Sequence, residues 1–374
     1  EVLDIYLAAA TAGIVVVPLS PMLRGKGLVT LLNDSGAKAL LTMDRLADVV
    51  DGLRGDLGGL AEDGYLLIDA DRDGWISYER YIADSEAAPA PFVQLDDDDV
   101  FNLIYSSGTT GDPKGIVHTH GIRTAYATGF STSYRIHPES VILHSGSLVF
   151  NGAFLTLMPW LLQGTTFVLM ASFDAQAVVE AIATEGVTHM MVVPSQLIGL
   201  MDTPGFDAET CGSLEMVCSV GAPLHLEHKQ AFMDRLPGRF YELYGLTEGF
   251  VTVLDRDHAA DKPSSVGIPP PLYEMRIVDD EGHDLPANEV GEIVGRGPIT
   301  MPGYHGRPDL TAEAIRDGWL FSGDLGYVDE DGFLYLVDRK KDLIISGGAN
   351  VYPRDIEEEL IQHPDVVDVA VFGV

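Results

Sequence analysis

The segment Ser106-Ser107-Gly108-Thr109-Thr110-Gly111-Asp112-Pro113-Lys114-Gly115 holds three glycines, four hydroxyls and a cation within ten residues. Glycines let backbone N–H groups turn towards a ligand, hydroxyls add donors, and Lys114 brings a fixed positive charge. The segment is therefore suited to holding a polyphosphate. It is not a Walker A loop, because Pro113 stands where that pattern needs its second glycine. Other patterns point nowhere as clear. DADRDGWISYER (69–80) spaces Asp69, Asp71, Asp73 and Gly74 like a calcium loop, but Arg80 takes the place of the bidentate Glu and the preceding YLLID reads as a strand. An acidic turn is expected there. His118 and His120 have no third ligand nearby and are expected in capping or core roles. The absence of G-x-S-x-G and G-x-G-x-x-G argues against hydrolase and dehydrogenase chemistry.

The elements that must position such a loop follow from alternation. Between 101 and 243 the strand-like runs FNLIYS (101–106), GIVH (115–118), TFVLM (166–170), THMMVV (188–193), EMVCSV (215–220) and RFYEL (239–243) alternate with helical patterns such as DAQAVVEAIATEG and HLEHKQAFMDRL. Strands alternating with helices of this length predict an α/β fold with a largely parallel sheet, and ligands bind such sheets at the carboxyl ends of the strands. Ser147 to Leu162 reads as a buried helix. After Asp255, turn-rich pieces punctuate strands such as YEMRIV and VGEIVGR, predicting a β-rich subdomain over about 255–338. Residues 46–100 are acidic and contain APAP and DDDD; they read as a surface connection into the α/β body. Near Asp338 a last unit begins, expected as strand DLIIS, helix RDIEEELIQ and strand VVDVAVFGV. The first and last residues both look like the interior of something longer.

Composition sets outer limits. The 374 residues carry 23 Lys+Arg against 57 Asp+Glu, a formal charge of −34, and 46% are hydrophobic. That is enough apolar material for a large core and excludes general disorder. The acid excess argues against nucleic-acid binding, which needs cations to displace counterions from phosphates. Cys211 and Cys218 exclude a disulfide scaffold and are expected as free buried thiols in a reducing compartment, the cytoplasm. No stretch is apolar and long enough to span a bilayer as a helix.

Further short motifs follow the loop in order: Ser219-Val220-Gly221-Ala222-Pro223-Leu224, Tyr244-Gly245-Leu246-Thr247-Glu248, Gly291-Glu292-Ile293 with Gly303-Tyr304, Trp319-Leu320-Phe321-Ser322-Gly323-Asp324, Asp338-Arg339-Lys340-Lys341-Asp342, and Ser346-Gly347-Gly348-Ala349-Asn350-Val351-Tyr352-Pro353. Over essentially its whole length the chain resembles the adenylate-forming superfamily of acyl-CoA synthetases, luciferases and adenylation domains. The resemblance implies a large α/β domain of stacked mixed sheets with helices over residues 1–338, which includes the β-rich subdomain. It places a hinge and the start of a small α+β C-terminal domain in 339–374.

The implied activity is that of an acyl-CoA synthetase: ATP and a carboxylic acid give an acyl-adenylate, which CoA then takes up. A carboxylate is already ionised near neutrality, so no general base is needed; what is needed is positioning and charge neutralisation. The resemblance assigns catalysis to Lys114, Thr247 and Glu248, with Glu248 holding Mg²⁺. It assigns ATP or AMP binding to Ser107, Gly108, Thr109, Thr110, Gly111, Gly221, Ala222, Pro223, Glu242, Leu243, Tyr244, Gly245, Thr247, Asp324 and Arg339. Tyr244 would stack on adenine, while Asp324 and Arg339 would hold the ribose. An acyl pocket would involve Phe150, Asn151, Phe154, Val193 and Gly245, with Leu155 and Met191 adding apolar lining for a fatty or aromatic acid. Lys341 would be the hinge, and Gly347 and Gly348 would let pantetheine pass. Two departures stand out: Asn151 replaces a frequent His and cannot carry positive charge, and Val220 replaces a frequent Gly. Two rival readings remain, a luciferase-type oxygenase and a nucleotide-binding chain without catalysis.

Overall fold

The computed structural model describes residues 1–83, 85, 92–106, 113–341, 344–346, 349–351, 353–360, 363, 366 and 369–373. Contacts divide the chain into two compact units. The first comprises Glu1–Gly121, Leu148–Asn151 and Met301–Pro308; the second comprises Ile122–Ser147, Gly152–Thr300 and Asp309–Val374.

In the first unit the helix Val2–Ala12 ends where Gly13 turns left-handed at φ 68°. Strands Val100–Ser106 and Lys114–Thr119 pair antiparallel, with Ser106 opposite Lys114, so both ends of the Gly/Thr-rich segment are held by one hairpin. Its central residues 107–112 lie outside the described ones. Gly303 and Gly115 close a second line of backbone bonds, Val117 N to Gly303 O at 3.2 Å and His305 N to Gly115 O at 2.7 Å.

Residues 46–100 correct the expectation of a surface connection. Strands Leu40–Thr42, Tyr65–Leu67 and Ile76–Ser77 form a parallel three-stranded sheet. Leu28, Leu32, Ala47, Val50, Leu57, Tyr65, Leu67 and Trp75 pack as a core of their own. The acids lie on the outer face of helix Asp44–Asp51, where Arg72 pairs with Asp44, Asp48 and Asp51. Composition read this region as solvent-facing, but helical spacing puts Ala47 and Val50 inward. Asp69 accepts from the Asp44 N–H at 2.8 Å and Asp71 pairs with Arg80 at 2.8 Å, so the calcium-like run is a turn braced by its neighbours.

The second unit is built on a six-stranded sheet in the order Phe250–Leu254, Phe240–Leu246, Met216–Val220, His189–Val192, Val141–His144, Thr166–Leu169. Every neighbouring pair is parallel except the first. The helices Ala175–Glu185, Pro194–Met201 and Leu226–Arg235 contribute Val178, Val179, Ile182, Leu197, Leu200 and Phe232 to a core shared with Val217 and Phe240. Helix Ala175–Glu185 starts where the Asp174 carboxylate accepts from the Ala177 N–H at 2.8 Å and stops at left-handed Gly186. An antiparallel sheet follows, with Glu274–Val278 and Trp319–Val328 on either side of Gly291–Arg296; both Ile315–Arg316 and Leu334–Arg339 pair with Trp319–Val328.

Two local expectations change. The helix placed over Ser147–Leu162 begins at Phe154, after a 3₁₀ turn at Asn151–Ala153; Asn151-Gly152 breaks it. Its end is exposed at Leu161 and Leu162, so only its first half is core. Of the strand–helix–strand expected at the end, the first strand, Ile344–Ser346, and the helix, Pro353–Leu360, are present, and an unexpected strand, Ala349–Val351, pairs antiparallel with the first. None of the described residues among 366–373 lies in a strand. An apolar run offers strand-forming side chains, but a strand also needs a neighbour to take its backbone hydrogen bonds. Both cysteines are free and buried, and burial pushes the Cys218 thiol up to about 12. No helix among the described residues is long and apolar enough to cross a membrane.

Two stability measurements check this architecture. Leu67 is completely buried in the small core, so Leu67→Ala should cost about 2–5 kcal/mol in a urea titration; an unchanged midpoint would return residues 46–80 to the status of a surface connection. His189, buried at the start of its strand in the large sheet, donates from Nε2 to the Tyr134 carbonyl at 3.0 Å, and burial lowers its pKa to about 4. The unfolded chain takes up that proton near pH 6.5, so stability present above pH 6.5 drains away as pH falls towards 4, by about 3 kcal/mol in all. His189→Gln should flatten the stability–pH curve in that window.

Candidate functional site

The best-formed cluster of chemistry-bearing residues lies in the second unit, at the carboxyl ends of the parallel strands. Tyr244, in strand Phe240–Leu246, donates its hydroxyl to Asp324 Oδ2 at 2.7 Å. Asp324 lies on Trp319–Val328 and is the register partner of Arg339, whose Nε is 3.7 Å from Oδ1. Asp324 is mostly buried, and desolvation raises its carboxyl above the ordinary carboxylate value, while burial holds the Tyr244 hydroxyl well above its own. Arg339 itself is largely exposed. A carboxylate with one oxygen bound to a phenol and an exposed guanidinium facing the other is suited to a polar, hydroxyl-bearing ligand.

Beside it the chain turns tightly between two antiparallel strands, carrying Thr247 and Glu248 at half-buried positions. Two glycines make the turn possible. A side chain on Gly245 would meet Val251 Cγ1 at 2.6 Å and the Phe250 carbonyl at 2.7 Å. Gly249 adopts φ 110°, and a Cβ there would overlap the Ile299 carbonyl. Gly221, with φ 93°, turns the chain directly after strand Met216–Val220 and leaves Ala222 and Pro223 exposed at that edge. Val193, 40% exposed, occupies the same edge after His189–Val192.

Glu242 and Leu243 behave differently from the rest of the expected nucleotide set. Both are buried, and the Glu242 carboxylate pairs with Lys229 of helix Leu226–Arg235, itself buried. The Glu242 side chain is thus engaged in tying a helix to the strand that carries Tyr244. Phe154 is a correction: it has no exposed surface, and the Arg123 guanidinium sits 3.9 Å from its ring centroid. With no exposed surface it packs as core, against the expectation that it lines an acyl pocket. Leu155 and Met191 are buried as well.

In the first unit, Lys114 opens its strand with Nζ 5.1 Å from the Tyr304 ring centroid. Phe150 is 56% exposed and Asn151 half-buried. Ser107, Gly108, Thr109, Thr110, Gly111, Gly347 and Gly348 lie outside the described residues. Lys341 is exposed. Among the described residues no three His, Cys, Asp or Glu side chains gather as a metal cluster, so any cation here would rest on Glu248 and on oxygens brought by a ligand.

Sequence reasoning passed over three buried charges, Arg123, Lys229 and Glu292. Glu292 was quoted within a motif and given no role, and Lys229 was not singled out. Lys229 shares a helix face with Phe232, and a lysine on an apolar face is the one local signal that could have found it.

An open α/β sheet with a phenol–carboxylate–guanidinium group at its carboxyl edge has a polar group where α/β enzymes bind their ligands. The chain belongs to the AMP-binding enzyme family, whose profile matches residues 1–305. Feruloyl-CoA synthase of an Amycolatopsis species is 37% identical over 380 residues, spanning 100% of this chain and 73% of that relative. Among solved structures, ATP-bound MatB from Rhodopseudomonas palustris superposes with a TM-score of 0.90 at 29% identity, covering 100% of this chain and 73% of its own. The o-succinylbenzoate CoA synthetase of Bacillus subtilis, in complex with its acyl-adenylate intermediate, follows at 0.86 and 28%, again covering 100% and 73%. The superfamily and fold expected from the ordered motifs are therefore established.

The buried Lys229–Glu242 pair carries its own expectation. Lys229→Met removes the buried cation paired with a buried carboxylate and should cost about 3–5 kcal/mol, whereas Lys229→Met combined with Glu242→Leu should recover most of that loss. Additive penalties in thermal or urea unfolding would show that the two charges do not act on one another.

Proposed function

We propose that the chain forms most of an AMP-forming acyl-CoA ligase that activates an aromatic carboxylic acid. The enzyme class follows from membership in the AMP-binding family and from CoA-ligase relatives. The aromatic class, in preference to a fatty acid, is supported by the feruloyl and o-succinylbenzoate named in the relatives' descriptions. The observation that carries the reading is the Tyr244–Asp324–Arg339 constellation beside the Thr247–Glu248 turn.

In this reading the ribose hydroxyls donate to Asp324, Arg339 grips the same sugar with its guanidinium, and the adenine lies along the Tyr244 ring, flanked by the Gly221-Ala222-Pro223 turn and by the Leu243 and Gly245 backbone. Glu242 supports that strand through Lys229. The Thr247 hydroxyl donates to the α-phosphate, and Lys114 with the Ser107–Gly111 segment receives the β- and γ-phosphates. A substrate carboxylate oxygen bonds to the α-phosphorus while the bond to pyrophosphate breaks. The CoA thiol, giving up its proton, then adds to the acyl carbonyl and AMP departs. Each step separates or moves negative charge, so fixed donors do more for the rate than a proton-transfer group would. Glu248 is a hard oxygen donor on a half-buried turn, which suits Mg²⁺; when bound, that ion neutralises charge developing on the phosphates.

For binding the acid, Val193 and Gly245 are the candidates of the second unit and Phe150 and Asn151 those of the first, Asn151 offering a neutral hydrogen-bonding group where a His would bring charge. Lys341 serves as the hinge from which the C-terminal residues move between the two half-reactions, past Gly347 and Gly348. ATP and CoA as substrates, together with buried free thiols, fit a cytoplasmic setting.

Calorimetric titration with Mg·ATP tests the site. Asp324→Ala removes charge-assisted hydrogen bonds worth about 1.5–3 kcal/mol and should raise Kd roughly 10- to 150-fold, with Tyr244→Phe causing a smaller loss. Ferulate-dependent release of pyrophosphate tests the acid class. Unaltered ATP affinity in Asp324→Ala would sink the site assignment, and pyrophosphate release with fatty but no aromatic acids would sink the aromatic one.

A further inference from the structure

Glu292 is a buried carboxylate to which the mechanism above gives no task, and it is 9% exposed in a chain rich in acids that could lie at the surface. Its surroundings are specific. Strands Gly291–Arg296 and Trp319–Val328 pair with Glu292 opposite Leu325 and Val294 opposite Phe321. Ile293 alone therefore faces three residues, Ser322, Gly323 and Asp324. A bulge of this kind bends its strand and re-aims a side chain, here that of Asp324.

The bulge is held by three hydrogen bonds. Ser322 Oγ donates to the Ile293 carbonyl at 2.6 Å, the Asp324 N–H donates to Ser322 Oγ at 3.0 Å, and the Gly323 N–H donates to Glu292 Oε1 at 3.2 Å. Gly323 takes φ 73°, a conformation a side chain would oppose. The second Glu292 oxygen, Oε2, accepts from Lys340 Nζ at 3.0 Å, and the Lys340 N–H in turn donates to the Gly323 carbonyl at 2.9 Å. Lys340 Nζ also reaches Asp280 at 2.8 Å. One carboxylate thus brackets the residue before Asp324 and the residue after Arg339. An apolar side chain would fill the same space at lower desolvation cost but would hold neither end.

We propose that Glu292 is a positioning residue of the nucleotide site, fixing the Gly323 bulge and Lys340 so that Asp324 and Arg339 face the two ribose hydroxyls together. The inference rests on the reading that Asp324 holds the ribose, and it adds a residue that never touches the ligand. Because Lys340 adjoins the proposed hinge residue Lys341, the same bracket ties the ribose site to that hinge position.

The experiment compares the Mg²⁺ complexes of ATP and 2′,3′-dideoxy-ATP, which lacks the hydroxyls Asp324 would bind. Calorimetry on the intact chain gives Kd for each, and their ratio reports the ribose grip independently of general stability. The ratio should be tenfold or more in the unaltered protein and near one in Asp324→Ala. Glu292→Leu should reduce it at least fivefold and Lys340→Met at least threefold. Glu292→Gln, whose amide oxygen still accepts from the Gly323 N–H, should recover at least half of the discrimination lost in Glu292→Leu. A ratio that stays at its original value in Lys340→Met, or in a folded Glu292→Leu, overturns the proposal even if Asp324→Ala behaves as expected. Equal weakening of both nucleotides would make Glu292 merely structural and would overturn it too. Undiminished discrimination in Asp324→Ala would instead defeat the underlying site reading.

Discussion

The hydrogen bond from Tyr244 to Asp324 joins two sheets of different construction, and much of the second unit is arranged so that it forms. Tyr244 lies near the carboxyl end of a strand in the six-stranded sheet, where successive parallel strands deliver their loops to one edge. Asp324 comes from an antiparallel sheet whose strands would, in regular pairing, keep strict alternation between two faces. The three-residue bulge opposite Ile293 breaks that alternation at the point where a carboxylate has to reach across. The tight turn at Thr247–Gly249 and the steric need for glycine at 245 and 249 serve the same end, because any side chain there would collide with Val251 or Ile299.

Charge is the second constraint. With a formal charge of −34, the chain must place many carboxylates where water screens them, and most of its ion pairs are exposed and individually weak. Arg72 among Asp44, Asp48 and Asp51, or Lys262 between Asp329 and Asp331, relieves local crowding more than it drives folding. The buried exceptions are informative. Lys229–Glu242 is buried at both ends and anchors the strand that carries Tyr244, while the buried Glu292, reached by the exposed Lys340, adjoins the strand that carries Asp324.

Part of the architecture was legible in advance because apolar runs separated by amphipathic helices leave few alternatives to a parallel sheet: the runs at 166–170, 188–193, 215–220 and 239–243 became strands of the large sheet, whereas Val141–His144 and Phe250–Leu254 were not read, and the runs at 101–106 and 115–118 pair as a separate antiparallel hairpin. Where the reading failed, a local average stood in for geometry. Residues 46–100 looked like a connection because their acids dominate the composition, yet a helix sorts residues by angle, and Ala47, Val50, Leu67 and Trp75 close a core beneath them. Phe154 looked like pocket lining because it follows Phe150 in an apolar stretch, whereas the 3₁₀ turn at Asn151–Ala153 separates the two and leaves Phe154 fully buried.

By itself the sequence determined the residue types and their order along the chain: a hydroxyl- and glycine-rich segment with Lys114, then Tyr244, Thr247 and Glu248, then Asp324 and Arg339. Those follow from short-range chemistry, and ordered motifs carry it without reference to distance. Only the tertiary structure decided that Tyr244 meets Asp324 across 80 positions, that Glu242 is engaged by Lys229, and that Glu292 brackets Gly323 and Lys340. Such contacts depend on register, on a bulge and on burial. Each is settled by how whole strands pair and pack, and no window of neighbouring residues contains that information.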